Sequence, residues 1–449
     1  MKKHLVSLLV LFLMVSSSLV GVSSPIASSS LGNHSPIRII GNNQFTEENG
    51  VTGGSGTVDD PYIIEDWVIV SDGTASQGIF INNTDVYFII RNCTISGFQD
   101  PLEFCQGIEL SDVSNGRIED TIVDECQTGI TIRYSKDNVI FNCTCLNYPL
   151  TNGYGIAIFW SVNISVLFSN CHNMYNGIDI SESSDIILLK IDCYNNTNWG
   201  IFAEMPRNQN IMNFHIENCT FKSNGEGGIW FSGSNRYKSF SNMRNCSFYN
   251  NNVGIFLQHT SNNIIENCVF EHNYNGMCLD AADNNIIRNC RFISHGSEAI
   301  SIQGGVIFSC GNNEISYCDF IENKIGIFLI DTRGNNIHHN IIANNSYIGI
   351  VAVGSNDQIR SNNFINNGRE YSEAPDSAGV YAWRSFLDVR YNWWGSSDGP
   401  SISLFIGIKN LKIITIRIVN DADTILFRYG FACFRPWLSE PVLDAGKQM

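Results

Sequence analysis

Apolar and polar residues alternate along this chain in runs of three to five residues, with Gly, Asn or Ser breaking the pattern about every eight positions. Period two over such short segments predicts β-strands and argues against helical repeats, whose apolar positions recur every three to four residues. The alternation is itself repeated. The phrase Ile-x-Asn-Cys-x-Phe, loosely kept, appears as IRNCTI, IFNCTC, FSNCHN, KIDCYN, IENCTF, MRNCSF, IENCVF, IRNCRF and ISYCDF. Its fourth position is Cys93, Cys143, Cys171, Cys193, Cys219, Cys246, Cys268, Cys290 and Cys318, with Thr121 in a degenerate copy. Asn340, Asn362 and Asn392 carry the column onward, and the basic step is 22 residues, with longer turns where loops are inserted. A second signature, Gly-Ile-x-Ile, runs in step from Gly78 to Gly379, with Ala299 at one repeat. A glycine there suits either a corner with positive φ or a close backbone approach.

A unit of about 22 residues holding two or three short strands cannot bury its apolar side alone and must stack on its neighbours. Propeller blades need about 40 residues per unit, and leucine-rich repeats lack the Asn-Cys phrase. The predicted fold is all-β: a single right-handed parallel β-helix of about 13 to 14 coils, a rod some 60 to 65 Å long at the strand spacing. The expected layout is a signal peptide at 1–24, a lead-in at 25–52, the β-helix at 53–395 and a C-terminal cap and tail at 396–449. The repeat also gives the cysteines a role. Cys143, Cys171, Cys193, Cys219, Cys246, Cys268, Cys290 and Cys318 are expected to stack in one interior file, continued by Asn340, Asn362 and Asn392. In-register parallel side chains poorly match the near-90° torsion of a disulfide, so the file reads as buried thiols followed by a hydrogen-bonded amide ladder. The pairing of the cysteines off that file stays open.

Asn-x-Ile-x-x-Asn/Cys coils, the opening GSGT…DPYII and the ending NWWGSSDGP…RPWL resemble NosD-type right-handed β-helix repeat proteins over about residues 50 to 440. The resemblance implies a secreted module often associated with carbohydrate binding or processing, on an architecture that also hosts lyases, hydrolases, epimerases and non-enzymes. The copper label of that family finds little footing. The nine histidines are scattered and His338-His339 is the one adjacent pair, so no metal site or cofactor is expected.

Lys2-Lys3, an apolar core from Leu5 to Val15 and a small-residue stretch to Ser24 have the layout of a cleaved signal peptide, too short to span a bilayer. Secretion is the expectation, and it makes the sequons at Asn33, Asn82, Asn163, Asn195 and Asn344 candidate glycosylation sites. A net charge of −16 argues against nucleic acid as partner. An extracellular glycan or surface protein fits better, and no transmembrane anchor is expected to remain after cleavage. Oligomeric state is not legible.

Motifs of catalysis are scarce. Gly395-Ser396-Ser397-Asp398-Gly399 matches G-x-S-x-G, but lacks the strand-turn-helix setting. The paired aspartates of polygalacturonases and the clustered aspartates of calcium-dependent lyases have no counterpart. Outward positions of the Gly-Ile-x-Ile strand say more, because alternation turns the residue between two buried aliphatics outward. That column reads Phe80, Glu109, Thr131, Ala157, Asp179, Phe202, Trp230, Phe256, Cys278. A neighbouring column reads Asn82, Ser111, Arg133, Phe159, Ser181, Glu204, Ser232, Gln258, Asp280. Phe202, Trp230 and Phe256 thus fall on successive coils beside Gln258 and Asp280, a pattern suited to stacking on sugar rings. Inserted loops after Trp199 and Gly228 would instead make them a covered satellite core. Asp179 and Glu204 sit on adjacent coils at a separation expected of glycosidase carboxylate pairs. Three functions therefore stay open: a non-catalytic binder of carbohydrate or a surface partner, a polysaccharide-cleaving enzyme using Asp179 and Glu204, or a structural stalk.

Overall fold

The computed structural model describes residues 31–100, 104–148, 150, 152–204, 211–233, 238–239, 241–304, 310–368, 378–407, 413–418, 423–428 and 431–447. The chain winds as a parallel β-solenoid in which each coil lends one strand to each of three sheets, the second sheet holding 14 strands. One coil shows the plan: Ile264–Glu266 in the first sheet, Val269–Glu271 in the second and Asn275–Asp280 in the third. The next coil repeats it in register, with Ile287 beside Ile265, Phe292 beside Phe270 and Ile302 beside Leu279. Every one of these side chains points inward and is fully buried. No end-on helix or second layer is needed, because each coil buries the apolar side of the one before it.

Three corners bend each coil, and each uses a residue in the left-handed region. Before the second sheet the series is Asn92, Asp120, Asn142, Phe168, Lys190, Asn218, Asn245, Asn267, Asn289, Tyr317, His339, Ser361 and Tyr391. Asn predominates because its short polar side chain tolerates positive φ at least cost after Gly. The residue that follows turns inward, where it meets an unpaired backbone amide of the preceding coil. Asn362 is typical: its Oδ1 accepts the Asn340 backbone N–H at 3.0 Å and the Asn340 Nδ2 at 2.9 Å. Its own Nδ2 donates to the Ile337 carbonyl at 2.9 Å and to Asn392 Oδ1 at 3.1 Å. The other two corners carry ladders of the same kind, Asn196–Asn224–Asn251–Asn273 and Asn263–Asn285–Asn313–Asn335. Corner polar groups buried this way must be paired, and the ladders pair them coil by coil.

The single cysteine file expected from the sequence is two files. Cys143, Cys219, Cys246, Cys268, Cys290 and Cys318 do follow the corner residue, and Asn340, Asn362 and Asn392 continue them. Cys171 and Cys193 do not. At those coils the corner file is filled by Ser169, whose hydroxyl accepts the Cys143 amide at 3.1 Å, and by Ile191, whose amide points at Cys219 Sγ at 3.5 Å. Cys171 and Cys193 lie two residues further on, inside the second sheet, in register with Cys145. Phe221, Phe248, Phe270, Phe292 and Phe320 continue that inner file. Their rings stack at 5.0, 4.7, 4.6 and 5.0 Å. The left-handed residue marks the corner, and alternation makes the positions one and three residues after it equally inward-facing, so a cysteine at either looks alike in the sequence. None of the fifteen cysteines is in a disulfide bond.

Both ends reach beyond the expected boundaries. Gly32–Asn33 and Ile37–Ile40 already pair in parallel with the next coil, so the solenoid begins inside the lead-in rather than at 53. Thr424–Arg428 and Phe431–Cys433 add a further coil past 395, joined by an antiparallel pair, Ser401–Gly407 and Ile413–Ile418. The inner file runs on through Ile342 and Phe364 to Trp394, which is fully buried with its ring 4.5 Å from Phe364. The leader at 1–24 lies outside the described residues.

Candidate functional site

The third sheet positions every candidate residue. Its strands follow the Gly-Ile-x-Ile signature, and crowding rather than φ favours the glycine: a Cβ on Gly177 would sit 2.6 Å from the Gly200 carbonyl oxygen. Coils therefore pack closely at this edge, and the strands run in strict register. Ala157, Asp179, Phe202, Trp230, Phe256 and Cys278 form one outward column. Phe159, Ser181, Glu204, Ser232, Gln258 and Asp280 form the next.

Phe202, Trp230 and Phe256 are half-buried, neither a sealed core nor a bare surface. Phe202 meets Trp230 edge-on, with centroids 4.6 Å apart, and Phe256 lies nearly parallel to Trp230 at 6.1 Å. Trp199 joins them at 5.8 Å from Trp230. Beyond Glu204 and Ser232, Ile211–Met212 and Lys238–Ser239 pair as a separate parallel ribbon. The indole N–H of Trp230 is buried without a hydrogen-bond partner among the described residues, an arrangement that costs about 1 to 3 kcal/mol. Gln258 and Asp280, on the flank, are linked Nε2 to Oδ2 at 3.4 Å.

Asp179 lies one coil before Phe202 in the same column and is 5% exposed. Burial pushes its carboxyl up to about 7, opposed by the hydrogen bond from Asn176 and helped by the charge of Glu204. Asn176 Nδ2 donates to Asp179 Oδ2 at 3.0 Å. Glu204 sits on the adjacent coil beside Ser181 and is exposed. The structure thus brings together a buried acid that holds its proton near neutrality and a second, solvent-facing carboxyl group. Burial also pushes the Tyr154 phenol up to about 12, with Asp179 adding to the effect.

Further toward the N-terminus the same face carries an ion pair between a buried carboxylate and a partly exposed guanidinium. Glu109 is fully buried and pairs with Arg133, while Gln77 Nε2 donates to its Oε2 at 3.2 Å. Burial raises the Glu109 carboxyl and Arg133 pulls it back. Asn176, Tyr154 and Trp199 escaped the reading of outward columns because they stand before the Gly-Ile-x-Ile tetrad. The in-register pairing of Thr128, Tyr154 and Asn176 was the signal that finds them. Among the described residues no cluster of three or more His, Cys, Asp or Glu is placed to hold a metal ion, and no helix is long and apolar enough to cross a membrane.

The family model described as "Right handed beta helix region" matches residues 31–167, 77–242 and 236–392. This chain belongs to the right-handed β-helix family. No curated protein matches it. Among solved structures, it is similar to a periplasmic alginate epimerase at 13% identity, covering 83% of this chain and 85% of that one, with a TM-score of 0.42. It is also similar to a tailspike protein of an Escherichia coli O157:H7 bacteriophage at 15% identity, covering 67% and 42%, with a TM-score of 0.38. The A-module of a mannuronan C-5 epimerase from Azotobacter vinelandii matches at 13% identity over 74% and 86%, with a TM-score of 0.35. These likenesses concern the β-helix fold.

Proposed function

We propose that this is an exported β-helix protein that binds an extracellular carbohydrate along the outward face of the third sheet. The observation that carries this reading is the half-exposed row Phe202, Trp230 and Phe256, in register on three successive coils and bordered by Glu204, Gln258 and Asp280. Aromatic faces receive the apolar side of a sugar ring, while neighbouring carboxylate and amide groups receive its hydroxyls. Trp230→Ala is expected to weaken the wild type's signal on a glycan array several-fold; unchanged binding sinks the platform.

One observation favours a second reading, cleavage of the bound polysaccharide. Asp179 keeps its proton up to about pH 7 next to exposed Glu204, the division of roles that glycosidic bond cleavage asks of two carboxyl groups. Reducing-sugar release from a polysaccharide panel tests it. Activity lost in both Asp179→Asn and Glu204→Gln supports catalysis, and absence of release by the wild type leaves binding alone.

A further inference from the structure

The corner that leaves the third sheet holds left-handed residues, as the other corners do: Asn83, Asp112, Tyr134, Trp160 and Glu182 on five successive coils. Asn and Asp are the types expected there, since they remain solvated and tolerate positive φ. Tyr134 and Trp160 are not. They are 57% and 51% exposed, so their aromatic surface gains little from folding. Their rings lie parallel, 10° apart in plane and 5.0 Å between centroids. Large solvated rings in a strained backbone region point to use rather than to packing.

The pair does not stand alone. Trp160 lies 6.0 Å from Phe159, and Phe159 lies 6.3 Å edge-on from Tyr154. Tyr154 is close enough to Asp179 to feel its charge, and Asp179 is in register with Phe202. Aromatic rings therefore run from an exposed corner, across the face, up to Asp179, and resume beyond it with Phe202, Trp230 and Phe256. From the coil of Thr131 to that of Phe256 there are five coil steps, through Ala157, Asp179, Phe202 and Trp230. At the parallel strand spacing this is roughly 24 Å, room for several sugar rings. Asp112 and Glu182 bracket the exposed pair on the neighbouring coils and offer oxygen acceptors to hydroxyl groups.

We infer that Tyr134 and Trp160 form a second sugar-stacking platform, so that one polysaccharide chain lies across Asp179 with aromatic subsites on both sides. This rests on the carbohydrate reading above, and the test separates the two. Retardation of the full chain in native gels containing barley β-glucan, xylan, galactomannan, pectin or alginate gives relative affinities. Trp160→Ala, Tyr134→Ala and Trp230→Ala are compared with the wild type on each polysaccharide, with unchanged thermal midpoints showing that the exposed-site variants fold. The expected result is roughly 3- to 10-fold weaker retardation for each variant on the same polysaccharide, the scale of one lost aromatic contact. If Trp230→Ala alone weakens binding, the corner platform is overturned and the first site stands. If Trp160→Ala and Tyr134→Ala alone weaken it, the corner platform stands and the first site falls. A wild type that no polysaccharide retards, or that binds with all three variants unchanged, overturns both.

Discussion

Asp179→Asn isolates the energetic cost of holding a carboxyl group on the third sheet. In the folded chain burial pushes Asp179 up to about 7, from the 3.8 of an ordinary aspartate. A group whose folded value is raised favours the fold while protonated. Its contribution is therefore fully present below about pH 4 and is lost as pH rises toward 7. The difference between the two values corresponds to roughly 4 kcal/mol at pH 8, as an order of magnitude. Asn is nearly isosteric with the protonated acid and keeps an oxygen for the Asn176 Nδ2, now at 3.0 Å from Oδ2. The variant is thus expected to match the wild type near pH 4 and to be more stable above pH 7. Urea denaturation midpoints at pH 4.5 and 8.5, followed by circular dichroism, measure this. Two proteins whose midpoints shift in parallel with pH would refute the reasoning, since the titration would then belong to other groups. A gain in stability together with loss of binding or cleavage would mark Asp179 as a residue kept for its use.

Arg133→Met leaves the buried Glu109 carboxyl without its partly exposed cation and is expected to cost about 1 to 3 kcal/mol near neutral pH; Glu109→Gln in the same background should recover much of it, as read from denaturation midpoints. Asn362→Ala strips acceptors from Asn340 and a donor from the Ile337 carbonyl, a loss of about 3 to 5 kcal/mol; Asn362→Cys, which copies the solution used at Cys318, should cost visibly less, and equal midpoints would show that water repairs the gap. Gly177→Ala drives a methyl group to 2.6 Å from the Gly200 carbonyl oxygen, so limited proteolysis should open the neighbouring coils at lower temperature than in the wild type.

Much of this fold was legible because a solenoid writes its geometry repeatedly. Alternating apolar pairs, left-handed asparagines and the Gly-Ile-x-Ile tetrad recur coil after coil, and each recurrence constrains the same corner or strand. The outward columns from Asp179 to Asp280 could be read residue by residue, since strand pairing in register converts sequence offsets directly into neighbours. What alternation cannot distinguish is which of two inward positions a cysteine holds. Cys171 and Cys193 share the local phrase of Cys143 and Cys219, yet the corner is set by Phe168 and Lys190, backbone conformations that residue type does not announce. Nor does the sequence say where side chains end. Burial of Asp179, the half-covered state of Trp230, the pairing of Ile211–Met212 with Lys238–Ser239 and the exposed stack of Tyr134 on Trp160 all depend on long-range neighbours. Repetition determined the architecture; solvent access, which decides protonation and contact with a ligand, was settled only when the coils were stacked and their loops placed.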